Sequence, residues 1–189
     1  MIIETEKSII EFAGNTAIKT MKGDFPIGLT TEWLDCYRAV RASCPYLVEV
    51  YEVDQYNRRI VMENLGATQK IGTILKNEES QDIFTKKLIC DLIIAVTDTW
   101  TRSIEFSQTL SDTVSNITEF GAIKIPFESR YFVYCDFSLF NVVLTTDQKI
   151  RVIDPDSFSF VNKLMVPHTE KYFLTQMELM YHLTKLRYV

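Results

Sequence analysis

The most informative segment of this 189-residue chain reads Tyr134-Cys-Asp136-Phe-Ser-Leu-Phe-Asn141-Val-Val-Leu144, and it continues shortly afterwards as Ile150-Arg-Val-Ile153-Asp154-Pro-Asp156. An aspartate is followed, after four residues, by an asparagine that opens an apolar strand. A polar turn at residues 145–148 leads to a second apolar strand, which ends in another aspartate. Because two strands joined by a short turn place their outer ends together, the pattern predicts that Asn141 and Asp154 lie side by side.

Carboxylate and amide side chains at this spacing suit the transfer of a phosphoryl group to a hydroxyl. That reaction needs a carboxylate near the acceptor hydroxyl and hard oxygen ligands for the Mg²⁺ ion that bridges the nucleotide phosphates. We predict Asp136 to be the base or orienting carboxylate and Asn141 and Asp154 to be metal ligands, with Asp156 as an additional candidate ligand. The alternative is a loop aspartate followed by a capping asparagine, because an Asp-x4-Asn pattern often arises by chance.

The N-terminal third of the chain has the pattern of a small sheet with one helix, in the order β-β-α-β-β. Residues 7–13 and 16–21 are predicted to be strands joined by the tight turn Gly14-Asn15. Thr30 or Thr31 can cap a helix that runs to about residue 42. The mixed segment 47–54 and the apolar segment 59–63 complete the pattern.

The rest of the chain has a different character. Residues 82–106 carry apolar side chains at three- and four-residue steps, which predicts a long amphipathic helix. Residues 107–128 are polar and are expected to form a connection. Short apolar strands are predicted at 130–135, 141–144 and 149–153, and a closing helix at 168–186.

The order of these segments resembles that of the protein kinases and the related small-molecule kinases. Those proteins carry His-x-Asp, four residues, Asn, and then a further metal-binding Asp. Here Ala17-Ile-Lys19 resembles their third strand, whose lysine contacts the nucleotide phosphates, and Arg59 to Gly66 resembles the strand and hinge that hold adenine. The resemblance implies an α+β, two-lobe fold, with a small β-rich lobe at residues 1–64 and a mainly helical lobe at 65–189.

The resemblance also implies how ATP and Mg²⁺, or Mn²⁺, would bind. Lys19 would contact the phosphates and pair with a carboxylate of the first helix. Side-chain reach favours Glu32 as that partner, whereas the spacing to Pro45 favours Asp35. Adenine would lie against a set of apolar side chains and hinge residues: Ala17, Met62, Glu63, Leu65 and Val143. The acceptor hydroxyl would belong to a protein Ser or Thr or to a small molecule.

The chain departs from the kinase pattern at several points. Tyr134 replaces the usual histidine, and Pro155-Asp156 stands where Phe-Gly is common. At this second position the Asp-x-Asp pattern is similar to that of divergent secreted-type kinases, and Asp-Pro-x-Ser-Phe is similar to T7-like phage kinases. The glycines are scattered, so no glycine-rich loop is expected, and the first predicted strand matches the second strand of the lobe. Few residues follow Asp154. The fold is therefore expected to be reduced at both ends. Alternative interpretations are a pseudokinase or kinase-like module that binds protein partners, or a piece of a longer kinase.

Composition excludes several other classes of protein. The net charge is −5, with 25 acidic and 20 basic residues and no dense basic run, so neither nucleic acid nor an anionic membrane is an expected partner. Two histidines and four cysteines without a Cys-x-x-Cys pair make a zinc site improbable, and disulfides are not favoured. With no long apolar run and no secretory signal, we expect a cytoplasmic protein.

Overall fold

The computed structural model describes residues 1–23, 29–76, 86–114 and 130–185, which form an α+β fold with three antiparallel sheets. The largest sheet has the strand order β1-β2-β3-β5-β4. Its strands, in chain order, are β1 (Ile2–Glu4), β2 (Ser8–Ala13), β3 (Thr16–Met21), β4 (Val50–Asp54) and β5 (Arg59–Glu63). The predicted hairpin of β2 and β3 is present, and Gly14 has the positive φ, +58°, that its tight turn requires.

One face of this sheet is buried because β3 alternates strictly between inward and outward side chains. Ala17, Lys19 and Met21 point inward. The register with β5 places Met62 opposite Ala17 and Ile60 opposite Lys19, and residues directly opposite each other share a face. This face therefore carries an apolar strip with a single lysine in it.

Helix α1 (Thr31–Ser43) packs beside this sheet and is capped by Thr30, whose side chain accepts a hydrogen bond from the Trp33 backbone N–H at 3.2 Å. Its apolar stripe is buried and includes Trp33 and Tyr37, which stack with ring centroids 5.1 Å apart. The Trp33 indole N–H donates to the Phe158 carbonyl at 2.8 Å. The helix thereby joins the N-terminal sheet to the C-terminal half of the chain.

The second half combines two small sheets with helices. Its elements are β6 (Thr68–Lys70), α2 (Ile71–Lys76), α3 (Lys86–Val114), β7 (Arg130–Tyr134), β8 (Val142–Thr145), β9 (Ile150–Val152), β10 (Phe158–Asn162) and α4 (Val166–Lys185). One sheet has the order β6-β8-β9 and the other pairs β7 with β10. Helices α3 and α4 meet where Trp100 stacks on Phe173, at 5.1 Å between ring centroids.

Several sequence predictions of element boundaries were wrong. Helix α3 continues to Val114 rather than ending near residue 106, because the hydroxyl of Ser107 is buried and hydrogen-bonded to both the backbone N–H and the carbonyl of Phe132. Residues 82–85 of its predicted start and residues 115–128 of the predicted connection lie outside the described residues. Helix α4 begins at Val166, since Pro167 is tolerated in a first helical turn. Residue 186 is also outside the described part.

The N-terminal sheet also differs from the expectation that the chain starts at the second strand of the lobe. Strand β1 precedes that strand and pairs with it, from Ile2 opposite Glu11 to Glu4 opposite Ile9. Three exposed residues carry too weak a pattern to be detected in the sequence. All four cysteines are free thiols. None of the helices in the described ranges has the length and apolar character that crossing a membrane requires.

Candidate active site

Lys19 is the centre of the candidate site because it joins β3 to a turn far along the chain. Its ammonium group forms ion pairs with the carboxylates of Asp154 and Asp156, the latter at 2.6 Å. Burial by itself would lower the pKa of Lys19, but attraction to Asp156 and Asp154 outweighs burial and the pKa is raised. Lys19 is therefore a permanently charged group held between two acids.

The two aspartates are brought together by a tight turn after β9. Asp154 has a left-handed backbone, with φ of +70°, and residues 155–157 then form one turn of 3-10 helix that begins at Pro155. Ser157 closes the turn: its backbone N–H donates to the Asp154 carbonyl at 3.0 Å and its hydroxyl to the Asp154 carboxylate at 3.2 Å. A left-handed non-glycine residue is strained, and such strain is common at functional sites.

Asp154 and Asp156 differ in their acidity although they share one lysine. Burial raises the pKa of Asp154, but the charge and hydrogen bond of Lys19 outweigh burial and hold this pKa below its usual value. Burial and the negative charge of Asp154 raise the pKa of Asp156 to about 6. A single ammonium cannot compensate two neighbouring carboxylates fully, so the pair has excess negative charge near neutral pH.

Asn141 connects the loop that carries Asp136 to the end of β9. Its carbonyl accepts from the Ile153 backbone N–H at 2.8 Å, and its side-chain Nδ2 donates to the Asp136 carbonyl at 3.1 Å. The predicted hairpin is present, with Val142 opposite Val152. The outer ends of the two hairpin strands thus bring Asn141 next to Ile153, which precedes Asp154. Asp136 itself is exposed.

Helix α4 lies against the same loop through a row of aromatic rings. Phe137, the neighbour of Asp136, is buried and meets Phe173 of α4 edge-on at 5.7 Å. Tyr172, the preceding residue of α4, is partly exposed, and burial together with the charge of Asp136 raises its pKa. The phenol of Tyr172 therefore lies near Asp136, a proximity that the sequence did not reveal.

The predicted adenine contacts occupy different environments. Ala17 and Met62 are buried side by side on the inner face of the sheet, and Val143 is buried in β8. Leu65 is half-buried just after β5. The Glu63 side chain is already engaged, because Arg151 binds its carboxylate with two guanidinium nitrogens and the Glu49 backbone N–H donates to it at 3.1 Å.

Two contributions to this region were missed at the level of sequence. Arg151 also donates to the carbonyls of Tyr46, at 3.3 Å, and Leu47, at 3.1 Å, so it links the β5 end to β9 and to the chain after α1. The sequence signal for this role of Arg151 was its position inside an otherwise apolar strand. Phe12 is opposite Ala17 and shares its face, but its place depends on the strand register.

The predicted pairing of Lys19 with Glu32 or Asp35 is wrong. Both carboxylates are exposed on α1, and Glu32 lies 3.9 Å from a guanidinium nitrogen of Arg130 instead. Lys19 is turned toward the 154–156 turn, where two half-buried carboxylates compensate its charge. A lysine inside the structure must have such compensation, whereas an exposed glutamate on a helix does not need it.

The donor atoms at this site fit a magnesium ion better than a softer metal. Asp154 and Asp156 offer carboxylate oxygens, and Asn141 offers an amide oxygen, since its nitrogen is used by Asp136. Mg²⁺ is commonly held by one or two carboxylates together with water and substrate phosphates. A metal bound by protein side chains alone needs a cluster of three or more His, Cys, Asp or Glu. The described residues contain no such cluster.

Comparison with known proteins identifies the fold. No protein-family model and no curated protein sequence matches the chain. Among solved structures, it is similar to the choline kinase LicA from Streptococcus pneumoniae, with a TM-score of 0.51 and 10% identity, over 91% of this chain and 71% of that one. It also matches a choline/ethanolamine kinase family protein from Mesorhizobium loti, with a TM-score of 0.49 and 10% identity, over 87% of this chain and 60% of that one. A further match is the aminoglycoside phosphotransferase APH(2'')-Ib in an ADP-bound form, with a TM-score of 0.48 and 14% identity, over 86% of this chain and 67% of that one.

The chain thus has a protein-kinase-like α+β fold, as the resemblance of its motifs to those of kinases implied. It spans 71% of the choline kinase and 60% of the Mesorhizobium protein. At 10% identity, the likeness to the choline kinase establishes the fold alone and leaves the activity to be argued from the site.

Proposed function

We propose that this protein is an ATP- and Mg²⁺-dependent phosphotransferase that acts on a hydroxyl group of a small molecule or of a protein Ser or Thr. The observation that carries the proposal is the contact of Lys19 with Asp154 and Asp156, in a kinase-like fold, beside a loop that holds Asp136 and Asn141. Phosphoryl transfer depends mostly on positioning and charge compensation, and these are the groups that supply both.

Each residue would have a distinct role. Asp154 and Asn141, with Asp156 in support, would hold Mg²⁺, which compensates the charge of the phosphates when it is bound. Lys19 would contact the phosphates. Asp136 is exposed, as a residue must be that accepts or orients the proton of an incoming hydroxyl.

The nucleotide would bind between a small lobe, residues 1–64, and a large lobe, residues 65–189. Ala17 and Met62 would contact one face of adenine and Val143 the other. Because the Glu63 carboxylate is bound to Arg151 and its backbone N–H donates to the Glu49 carbonyl at 2.9 Å, we assign the hinge contact to the backbone of Leu65.

Thermal unfolding with ADP or ATP, with Mg²⁺, Mn²⁺ or EDTA, tests the proposal. A ligand at 100 times its dissociation constant adds about 2.7 kcal/mol to the free energy of unfolding. We expect a stabilisation that requires the metal, that Asp154→Asn abolishes and that Asp136→Asn retains. Phosphate transfer should be lost in both variants.

Asp147→Asn is the matched control, because Asp147 is an exposed aspartate at the opposite end of the same hairpin. It should behave like the wild type in both assays. If neither metal stabilises the nucleotide complex of the wild type, the phosphotransferase proposal is wrong.

A second candidate function is that of a kinase-like module that binds protein partners without catalysis. The observation in its favour is that Lys19 is already paired with both carboxylates, so a nucleotide must displace these two ion pairs. Isothermal titration with Mg-ATP separates the two functions, since the binding module should give no heat of binding while remaining folded.

A further inference from the structure

Gly72 lies in helix α2 at a position where the backbone itself does not require glycine. Gly14 and Gly66 have positive φ values, +58° and +69°, which explain those glycines, whereas Gly72 has no positive φ. A glycine inside a helix costs conformational entropy on folding, and alanine is the preferred residue there. The missing side chain of Gly72 must therefore have another reason.

The ring of Phe140 lies directly against the helix at Gly72, which is buried. A Cβ atom on Gly72 would stand 3.0 Å from Cδ1 and Cε1 of this ring and 3.1 Å from Cδ2. Carbon atoms in favourable contact are about 3.5–4.0 Å apart, so any side chain at this position would push the ring away. The close approach of Phe140 is the reason for the glycine.

Lys76, which follows Gly72 by about one helical turn, contacts the same ring. Its ammonium nitrogen lies 4.7 Å from the centroid of the Phe140 ring. Residues four apart lie on one face of a helix, and an ammonium group is attracted to the face of an aromatic ring. Gly72 provides the space for the ring and Lys76 an attraction, so this face of α2 holds Phe140 in a defined place.

Phe140 directly precedes Asn141 in a single turn of 3-10 helix (Leu139–Asn141). The Ser138 hydroxyl accepts from the Phe140 backbone N–H at 3.2 Å, and the Ser138 carbonyl accepts from the Asn141 backbone N–H at 2.8 Å. Leu139 is buried, so the turn is anchored in the core by Leu139 and on α2 by the ring of Phe140. A displaced ring would therefore move Asn141 with it.

We propose that Gly72 is a positioning residue of the phosphotransfer site: it leaves the space in which α2 holds the Phe140 ring, and the ring thereby fixes Asn141 as a ligand of Mg²⁺. The inference rests on the proposed function, and it adds a role for α2, which contributes none of the charged groups of the site. Groups that orient a metal ligand without touching the metal commonly change metal affinity or activity by roughly 10- to 100-fold when they are substituted.

The test uses Gly72→Ala and Phe140→Leu, singly and together, with Gly23→Ala as the matched control. A Cβ on Gly23 would meet nothing within 4 Å beyond its chain neighbours, and Gly23 has no positive φ, so the same methyl group is added in open space. Urea unfolding of each protein is measured in EDTA and then with saturating ADP over a range of Mg²⁺ concentrations. The KM for ATP in phosphate transfer is measured at saturating Mg²⁺.

We expect Gly72→Ala to raise the Mg²⁺ concentration for half-maximal stabilisation about tenfold, with little change in the KM for ATP. A purely structural defect would lower the stability in EDTA and leave the Mg²⁺ dependence unchanged. Phe140→Leu should also bind Mg²⁺ more weakly. Adding Gly72→Ala to Phe140→Leu should have little further effect, because there is no ring to displace. Gly23→Ala should match the wild type in every measurement.

An unchanged Mg²⁺ dependence of Gly72→Ala, with a normal response of the wild type, would overturn the role of Gly72 and leave the proposed function intact. An equal effect of Gly72→Ala with and without the Phe140 ring would also overturn it, since the effect would not pass through that ring. If Gly72→Ala does not fold in EDTA, Phe140→Leu decides: weaker Mg²⁺ binding supports the inference, and wild-type binding overturns it. If the wild type itself shows no response to ADP and Mg²⁺, the proposed function fails and this inference fails with it.

Discussion

Replacing Asp156 by asparagine should change how the stability of the protein depends on pH. The pKa of Asp156 is raised from 3.8 to about 6, first by burial and then by the charge of Asp154. A raised pKa means that the folded state favours the protonated carboxyl. The associated stability is complete below pH 3.8 and is lost as the pH rises through about 6. The asparagine variant has no such group to titrate.

The size of the effect follows from the two pKa values. Each pKa unit corresponds to about 1.4 kcal/mol, so the interval between 3.8 and about 6 amounts to about 3 kcal/mol in the free energy of unfolding. Asparagine has nearly the shape of a protonated aspartate. We therefore expect the two proteins to be similarly stable near pH 4, and Asp156→Asn to be more stable by about 3 kcal/mol at pH 7.5.

Urea unfolding of both proteins at several pH values between 4 and 8, in EDTA and without nucleotide, measures this difference. Titrating groups that do not interact with Asp156 are common to both chains and cancel in the subtraction. Asp147→Asn is the control, because the hydrogen bonds of Lys149 and Thr145 lower the pKa of Asp147 and its substitution should change the pH dependence in the opposite sense. A difference for Asp156→Asn that stays constant with pH, or that falls as the pH rises, would refute the reasoning.

Three further predictions concern the frame around the site. Arg151→Leu should lower the free energy of unfolding by about 3 kcal/mol, because Glu63 would keep a partly buried charge without its partner, and a double-mutant cycle with Glu63→Gln should recover part of that loss. Thr30→Ala should cost about 1 kcal/mol through loss of the helix cap, whereas Thr31→Ala should cost less; equal costs would contradict the cap assignment. Phe173→Ala should cost about 4 kcal/mol in chemical unfolding, since its ring is buried between Trp100 and Phe137, and a loss below about 1 kcal/mol would show that α4 is not anchored there.

Local elements were predictable from the sequence because their signals lie within a few residues. The β8–β9 hairpin follows from two apolar runs and a polar turn, and the helix cap follows from a threonine before an amphipathic stretch. The polar residues from Ser107 onward predicted a loop, but the hydroxyl of Ser107 is buried and hydrogen-bonded to the Phe132 backbone in β7, so the helix continues. Short exposed elements such as β1 have too few residues to show a pattern.

The sequence by itself determined the local frame of the candidate site: one loop and one hairpin set how Asp136, Asn141 and Asp154 are spaced, and the signals for both are local. Only the tertiary structure decided which charges meet. Lys19 is 135 positions from Asp154, and its choice of Asp154 and Asp156 over Glu32 or Asp35 depends on how the sheet packs against the turn after β9. A strand pattern shows that a lysine points inward, but the low polarity of the interior, which makes a nearby carboxylate necessary, arises only after distant segments have come together.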